Sequence, residues 1–316
     1  MRPPNDSNSL EGAGDNPPPA GDRHRQWLAI GCMALGVLVM TGMDALVKGL
    51  VEAQYSVLQL MALRGAIISA GLFLWSLWRT RLRSLRTDRL PAHTLRALIG
   101  FFAPTLFFVA LGKLPLADTT VLFFVAPFLM TALAVPVLKE HVTRRHWLLI
   151  CAGFLGVVIA AQPSRATFQG ALLLPLGSAA AYAIMAVMGR WMRDTESVFG
   201  LVFYFNLGHA LIAGASLPFV WQELSLAALG LFATCAVLAA VGQFLFTYAL
   251  RVGPVGLIAP FEYTALVWSA ALGYWVFGEL PTLPIAVGAV LIGLSGVALA
   301  REAGRPLPSA ESPPPT

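Results

Sequence analysis

Apolar residues run in long blocks from residue 27 to residue 300, broken only by short polar or proline-bearing stretches. The blocks predict helical spans at 27–47, 57–78, 94–112, 119–138, 147–162, 170–189, 198–220, 226–250, 257–277 and 283–300. Most approach the roughly 20 residues that carry an α-helix across the hydrocarbon core of a bilayer. The fifth and tenth are the shortest. The pattern therefore predicts an all-α integral membrane protein of ten transmembrane helices. The flanking segments 1–26 and 301–316 are rich in Pro, Gly and small polar residues and read as disordered tails.

Composition agrees with this pattern. Of the 316 residues, 57% are hydrophobic and 12% charged, against about 25% charged in a typical soluble domain. Charge then sets an orientation. With the N-terminus placed in the cytoplasm, 17 of the 21 Lys and Arg residues fall in inside regions, and only Lys48, Lys113 and Arg165 fall outside. Such a bias predicts both termini inside. RTRLRSLRTDR at 79–89 reads as a cytoplasmic anchor, so the net charge of +5 requires no nucleic acid. Cys32, Cys151 and Cys235 lie within apolar spans at no metal-ligand spacing and read as small hydrophobes.

The chain also contains itself twice. At an offset of 139, ALGKLPLADTTVLFFVAPF (110–128) overlays ALRVGPVGLIAPFEYTALV (249–267), matching Ala110 with Ala249, Pro115 with Pro254 and Ala126 with Ala265. Glu140 of LKEHV falls on Glu279 of FGELP, and one residue later GFLGVVIA (153–160) overlays GLSGVALA (293–300). Five spans per copy is an odd number, so the copies must enter the membrane from opposite faces. The repeats are then 27–162 and 170–300, two inverted five-helix units enclosing a central cavity, a recurring plan of secondary transporters.

The paired segments ending LKEHV and FGELP, each followed by a Gly-rich helix, resemble the EamA type of the drug/metabolite transporter superfamily. That resemblance covers residues 27–300, and APFEYTALVWSAALGYWVFGELP carries its more specific part; Lys139 departs from the glycine usual at that place. It implies a ten-helix fold around a central cavity, with helices five and ten as scaffold or as contacts of a homodimer. It also implies transport of small metabolites across the bacterial inner membrane. DALVK and PFEYTAL look most like the branch related to bacterial S-adenosylmethionine carriers.

Several polar residues sit where an apolar span would exclude them. Arg64 lies about seven residues into the second span; an arginine at the centre of a bilayer helix costs on the order of 2.5–3.5 kcal/mol on insertion scales. It reads as an anchor for an anionic substrate group or as a structural arginine on backbone carbonyls. Glu262 reads as its complement, a proton carrier or partner of a cationic group, or as an ion-pair partner of Arg251. Asp44 and Lys48 stand at i and i+4, a spacing that favours a mutual pair; Asp44 could alternatively meet Arg64. Asn206 and His209 share a face of the seventh span, and His209 could exchange protons near neutral pH. Asp44, Glu262 and His209 are thus the proton-coupling candidates. Gln243 and Thr247 share a face of the eighth span. Tyr263 and Trp268 read equally as cavity rings or as packing, while Tyr274 and Trp275 read as an interfacial belt. Pro104, Pro127 and Pro260 are hinge candidates, since each removes a helix hydrogen bond. Glu140 and Glu279 read as caps at span ends.

The predicted function is a secondary transporter moving a zwitterionic or aromatic metabolite, an amino acid or S-adenosylmethionine among the candidates, by alternating access. A vitamin carrier of the same fold, for riboflavin for example, is the alternative. No G-x-x-x-x-G-K-[ST] loop is present for ATP. The histidines, at 24, 93, 141, 146 and 209, are too scattered for a catalytic cluster, so neither an enzyme nor a cofactor is expected.

Overall fold

The computed structural model describes residues 20–80, 82–138, 144–161, 170–192, 195–252 and 259–303. Among these residues there is no strand. The helices are α1 (Ala20–Glu52), α2 (Val57–Thr80), α3 (Leu90–Leu111), α4 (Leu116–Phe123), α5 (Ala126–Leu138) and α6 (Arg144–Ala161). The second half supplies α7 (Leu173–Trp191), α8 (Val198–Gly214), α9 (Leu217–Val220), α10 (Leu226–Val252), α11 (Thr264–Phe277) and α12 (Leu283–Ala303). Residues 1–19 and 304–316 and Glu140 lie outside the described residues, whereas 20–26 and 301–303, expected as parts of the disordered tails, extend the first and last helices.

Four of the ten apolar spans are not single α-helices: the sixth opens with a 3₁₀ turn, Gly170–Leu172, and the other three breaks have a backbone cause. The fourth span is interrupted at Phe124 and Val125, between α4 and α5. Pro127 has no N–H to return to the Phe123 carbonyl, and the chain tightens: Phe124 N–H bonds to the carbonyls of Thr120 and Val121, and Val125 N–H to that of Leu122. The seventh span stops at Gly214 and restarts as α9, with Ser216 as N-cap and Pro218 in the first turn. The ninth opens with a 3₁₀ turn, Ala259–Tyr263, that contains Pro260. By contrast α3 runs unbroken through Pro104.

Lipid tails are as apolar as leucine, so helix association in a membrane rests on close packing rather than on the hydrophobic effect. Small residues supply it here. A Cβ at Gly65 would stand 2.7 Å from the Asn206 carbonyl oxygen and 2.8 Å from Ala210 N, so α2 and α8 touch backbone to backbone. A Cβ at Gly242 of α10 would stand 2.6 Å from the Met40 side chain of α1, and one at Gly288 of α12 would stand 2.6 Å from the Gly156 carbonyl of α6.

The dominant helix pairings are α1 with α10, α2 with α8, α3 with α7 and α6 with α12. In terms of spans these are first with eighth, second with seventh, third with sixth and fifth with tenth. Exchanging the two halves maps this set onto itself. Because spans alternate in direction, α7 starts at the end of the bundle opposite to α1. The fold is thus two inverted five-span repeats packed across each other.

Candidate functional site

Between the halves lies a cavity of about 460 Å³. The first through fourth and sixth through ninth spans contribute to its wall; α6 and α12 contribute no lining residue. Much of the wall is ring and thioether: Phe107, Phe108, Phe123, Phe205, Tyr182 and Met185 all face it. Set into that wall are Asp44, Arg64, Arg96, Asn206, Gln243 and Glu262, together with the prolines Pro104 and Pro127.

The polar groups fall at two levels. Arg64 is seven residues from the start of α2, at the end away from the basic 79–89 run, whereas Arg96 is six residues from the start of α3, at the basic end. At 1.5 Å per residue the two guanidinium-bearing positions are roughly 12–15 Å apart along the bundle. Asp44 accompanies Arg64 within electrostatic reach, but no ion pair joins them. Arg64 is 7% exposed; its Nη1 meets Met43 Sδ at 3.6 Å and its guanidinium lies 5.4 Å from the Phe108 ring. The close approach at Gly65 sets this arginine alongside α8, where Asn206 donates its amide to the Val202 carbonyl at 2.9 Å.

At the basic level, Arg96 Nη1 donates to the Leu201 carbonyl at 3.1 Å and its guanidinium lies 5.5 Å from the Phe205 ring. Tyr182 stands within electrostatic reach of both Arg96 and Glu262. Reading the sequence by itself missed Arg96 and Tyr182. Arg96 was counted with the cytoplasmic basic cluster, although RALIGFFAP already shows it leading an apolar run.

Four expected residues lie elsewhere. Lys48 does not pair with Asp44. Its Nζ, on a side chain 3% exposed, reaches the carboxylates of Glu279 at 2.9 Å and Glu52 at 3.1 Å. It also reaches the carbonyls of Leu111 at 3.1 Å and Leu114 at 3.0 Å. Glu279 accepts in addition from Leu116 N–H at 3.0 Å. This cluster therefore ties the far ends of α1 and α3, and the start of α4, to the end of α11. The cause is that carbonyls left unpaired at the end of α3 attract a buried cation.

His209 turns away from the cavity: its Nδ1 is 2.6 Å from the Phe205 carbonyl, and its ring lies 4.1 Å from Phe205 and 5.6 Å from Phe101. The Tyr263 ring packs against Gly296, where a side chain would have no room, and lies 5.1 Å from Phe124. Trp268 packs in the cluster of Ala29, Met33, Val37 and Ala249. Tyr274 and Trp275 face outward, and Pro260 lies in the 3₁₀ turn. The Thr247 side chain lies outside what is described.

Outside the spans, the basic end is held by a polar cluster. His93 Nε2 is 3.0 Å from Glu196 Oε2, and Thr87 Oγ1 donates to Glu196 Oε1 at 2.7 Å. Burial alone would push the Glu196 carboxyl up, but the hydrogen bonds from His93 and Thr87 and the charges of His93 and Arg89 outweigh it and hold it below the ordinary carboxylate value. Among the described residues no group of three or more His, Cys, Asp or Glu is placed to hold a metal ion.

What such a site can do chemically is bind. It combines charge of both signs with aromatic walls. The comparisons agree. The sequence model of the EamA-like transporter family matches residues 27–162 and again 169–301. A protein of Rickettsia prowazekii (strain Madrid E) named S-adenosylmethionine uptake transporter is 29% identical over 212 residues, 66% of this chain and 71% of that protein. The pseudopaline exporter CntI of Pseudomonas aeruginosa (strain UCBPP-PA14) is 26% identical over 264 residues, 82% of this chain and 91% of the exporter. A crystal structure superposes with a TM-score of 0.60 over 92% of this chain and 99% of that one, at 19% identity, which speaks to the fold. The chain belongs to the EamA-like transporter family of the drug/metabolite transporter superfamily.

Proposed function

We propose that the protein is a secondary transporter of small zwitterionic or aromatic metabolites in a bacterial inner membrane, working by alternating access with both termini in the cytoplasm. The observation that carries this reading is the placement of Asp44, Arg64 and Glu262 in a ring-lined cavity between two inverted halves. Ions in hydrocarbon are costly and are retained where they meet a partner or a pathway. A substrate with charges of both signs supplies a partner for a cavity cation and for a cavity acid. S-adenosylmethionine, the substrate in the name of the Rickettsia relative, has an amino-acid head, a sulfonium and a planar base, and so suits both the ions and the rings. Asp44 and Glu262 are the groups that would carry a coupling proton; His209, packed among rings, is not. The α6–α12 pair forms the scaffold, and its outer face would meet lipid or a second copy of the chain. Prolines 127 and 260, at the breaks in the fourth and ninth spans, would let those spans bend as the halves rock.

A second reading is favoured by the aromatic wall: a flat vitamin such as riboflavin could stack between rings such as Phe108 and Phe123. Uptake of labelled S-adenosylmethionine, several amino acids and riboflavin into liposomes holding the purified protein, with and without a pH gradient, separates the readings. Saturable uptake of a zwitterion supports the first. Riboflavin uptake alone moves the assignment to the second, and no saturable uptake across the panel rejects both.

A further inference from the structure

The cavity has two cations, and the structure treats them differently. Arg64 is almost completely enclosed, faces Asp44 and rests on Met43 and Phe108. Arg64 makes no ion pair among the described residues and its Nε has no partner there, but the acid Asp44 lies within electrostatic reach of it. Arg96 is half-buried and makes no ion pair among the described residues. Its Nη1 bond to Leu201 and its contact with the Phe205 ring fix the plane of the guanidinium, while its Nε has no partner. On the other side lies Gly189, where a Cβ would stand in ordinary contact, 3.5 Å from Nε and 3.6 Å from Nη2.

A second lone polar atom lies at a similar depth. Gln243 lines the cavity nine residues before the end of α10, and its Oε1 is buried without a partner. By helical rise it is about 13 Å from the basic end and Arg96 about 9 Å. Glu262 faces the cavity from the 3₁₀ turn at the same end. This level therefore offers an unanswered cation with donors to spare, an acceptor with a free lone pair, and a carboxylate. A buried polar atom left unpaired is destabilising, and a ligand group of opposite character would relieve that cost.

We propose that Arg96, Gln243 and Glu262 form a headgroup subsite for an α-amino acid moiety, resting on the zwitterion reading above. Arg96 takes the carboxylate, and Glu262 with Gln243 Oε1 takes the ammonium. The remainder of the substrate extends along the aromatic wall toward the Arg64 level. Arg64, compensated by Asp44, is not the carboxylate anchor.

The test uses matched pairs of compounds that differ only by the carboxylate: S-adenosylmethionine and its decarboxylated form, L-tyrosine and tyramine, L-arginine and agmatine. The concentration giving half-maximal thermal stabilisation of the purified, detergent-solubilised full chain is measured for wild type, Arg96→Gln, Arg96→Lys and Arg64→Gln. Wild type should bind at least one carboxylate compound about tenfold or more tightly than its decarboxylated partner, the scale of a charge-assisted hydrogen bond. Arg96→Gln should erase that preference, Arg96→Lys should retain part of it, and Arg64→Gln should leave it intact. A merely structural Arg96 would lower the melting temperature but keep the preference, and that result overturns the assignment. Loss of the preference in Arg64→Gln but not in Arg96→Gln overturns it too. Should Arg96→Gln fail to fold, Arg96→Lys and Gln243→Leu decide: an undiminished carboxylate preference in the first, or undiminished affinity in the second, refutes the subsite. If no compound of any pair stabilises wild type, the zwitterion reading fails and the subsite with it.

Discussion

Removing the Lys48 ammonium tests the polar cluster at the far end of the bundle, and Lys48→Met does so while keeping the length of the side chain. The substitution strands the Glu279 carboxylate and two carbonyls at the end of α3. Breaking a fully buried pair by deleting one partner costs about 3–5 kcal/mol. Here Glu279 keeps 22% exposure and Glu52 46%. Water can rehydrate both acids, so the Glu52 pair adds only about 0.3–0.5 kcal/mol and the whole comes to about 3 kcal/mol. At roughly 2–4 °C per kcal/mol the melting temperature should fall on the order of 6–12 °C. Thermal denaturation of the purified protein in detergent, followed by helical circular dichroism, reads this directly. Glu279→Gln should also destabilise, and the double variant should lose less than the sum of the single losses, because both remove the same bond. A fall under about 2 °C for Lys48→Met, or strict additivity, would refute the cluster as a tie between the halves.

Other outcomes follow from the same geometry. Gly65→Ala would place a methyl 2.7 Å from the Asn206 carbonyl oxygen, so it should destabilise by about 1–3 kcal/mol in the same melt, with Gly71→Ala, whose Cβ meets nothing within 4 Å, as the silent control. Glu196 has a depressed pKa in the folded protein, so its contribution is present above the unfolded value and is lost as pH falls through the folded one. Wild-type stability should therefore fall off below about pH 4, and Glu196→Gln should show a flatter acid limb. Glu262→Gln should abolish the response of transport to a pH gradient and weaken substrate exchange without eliminating it; an unchanged response to the gradient assigns the proton elsewhere.

How much of this was legible in the sequence depends on range. The spans follow from local hydropathy, which is why nearly all their bounds recur within a few residues. The inverted architecture follows from the 139-residue offset and the odd number of spans. Even the breaks at Pro127 and Pro260 have local causes. The partners of Lys48 did not follow, because spacing along one helix points to Asp44, four residues before it, whereas it meets Glu52, four residues after it, and Glu279, 231 positions away. Tyr263 and Trp268 were ambiguous because a ring next to an acid looks the same whether it faces a cavity or a glycine. Gly296, itself visible only as part of a smooth helix face, decides for Tyr263. Arg96 was hidden by its neighbours: a basic run before a span reads as anchor, and only the packing of α3 against α7 and α8 carries its last member into the cavity.

The central claim is that two inverted halves open the same cavity to opposite faces in turn. Spin labels at Ala53 and Leu280, beside the Lys48 cluster, and in a second sample at Asp88 and Thr195, beside His93 and Glu196, report the two ends by pulsed electron spin resonance in liposomes. The account predicts two distance populations at each end, with conditions that lengthen one distance shortening the other. Single invariant distances at both ends, or distances that grow and shrink together, would contradict it.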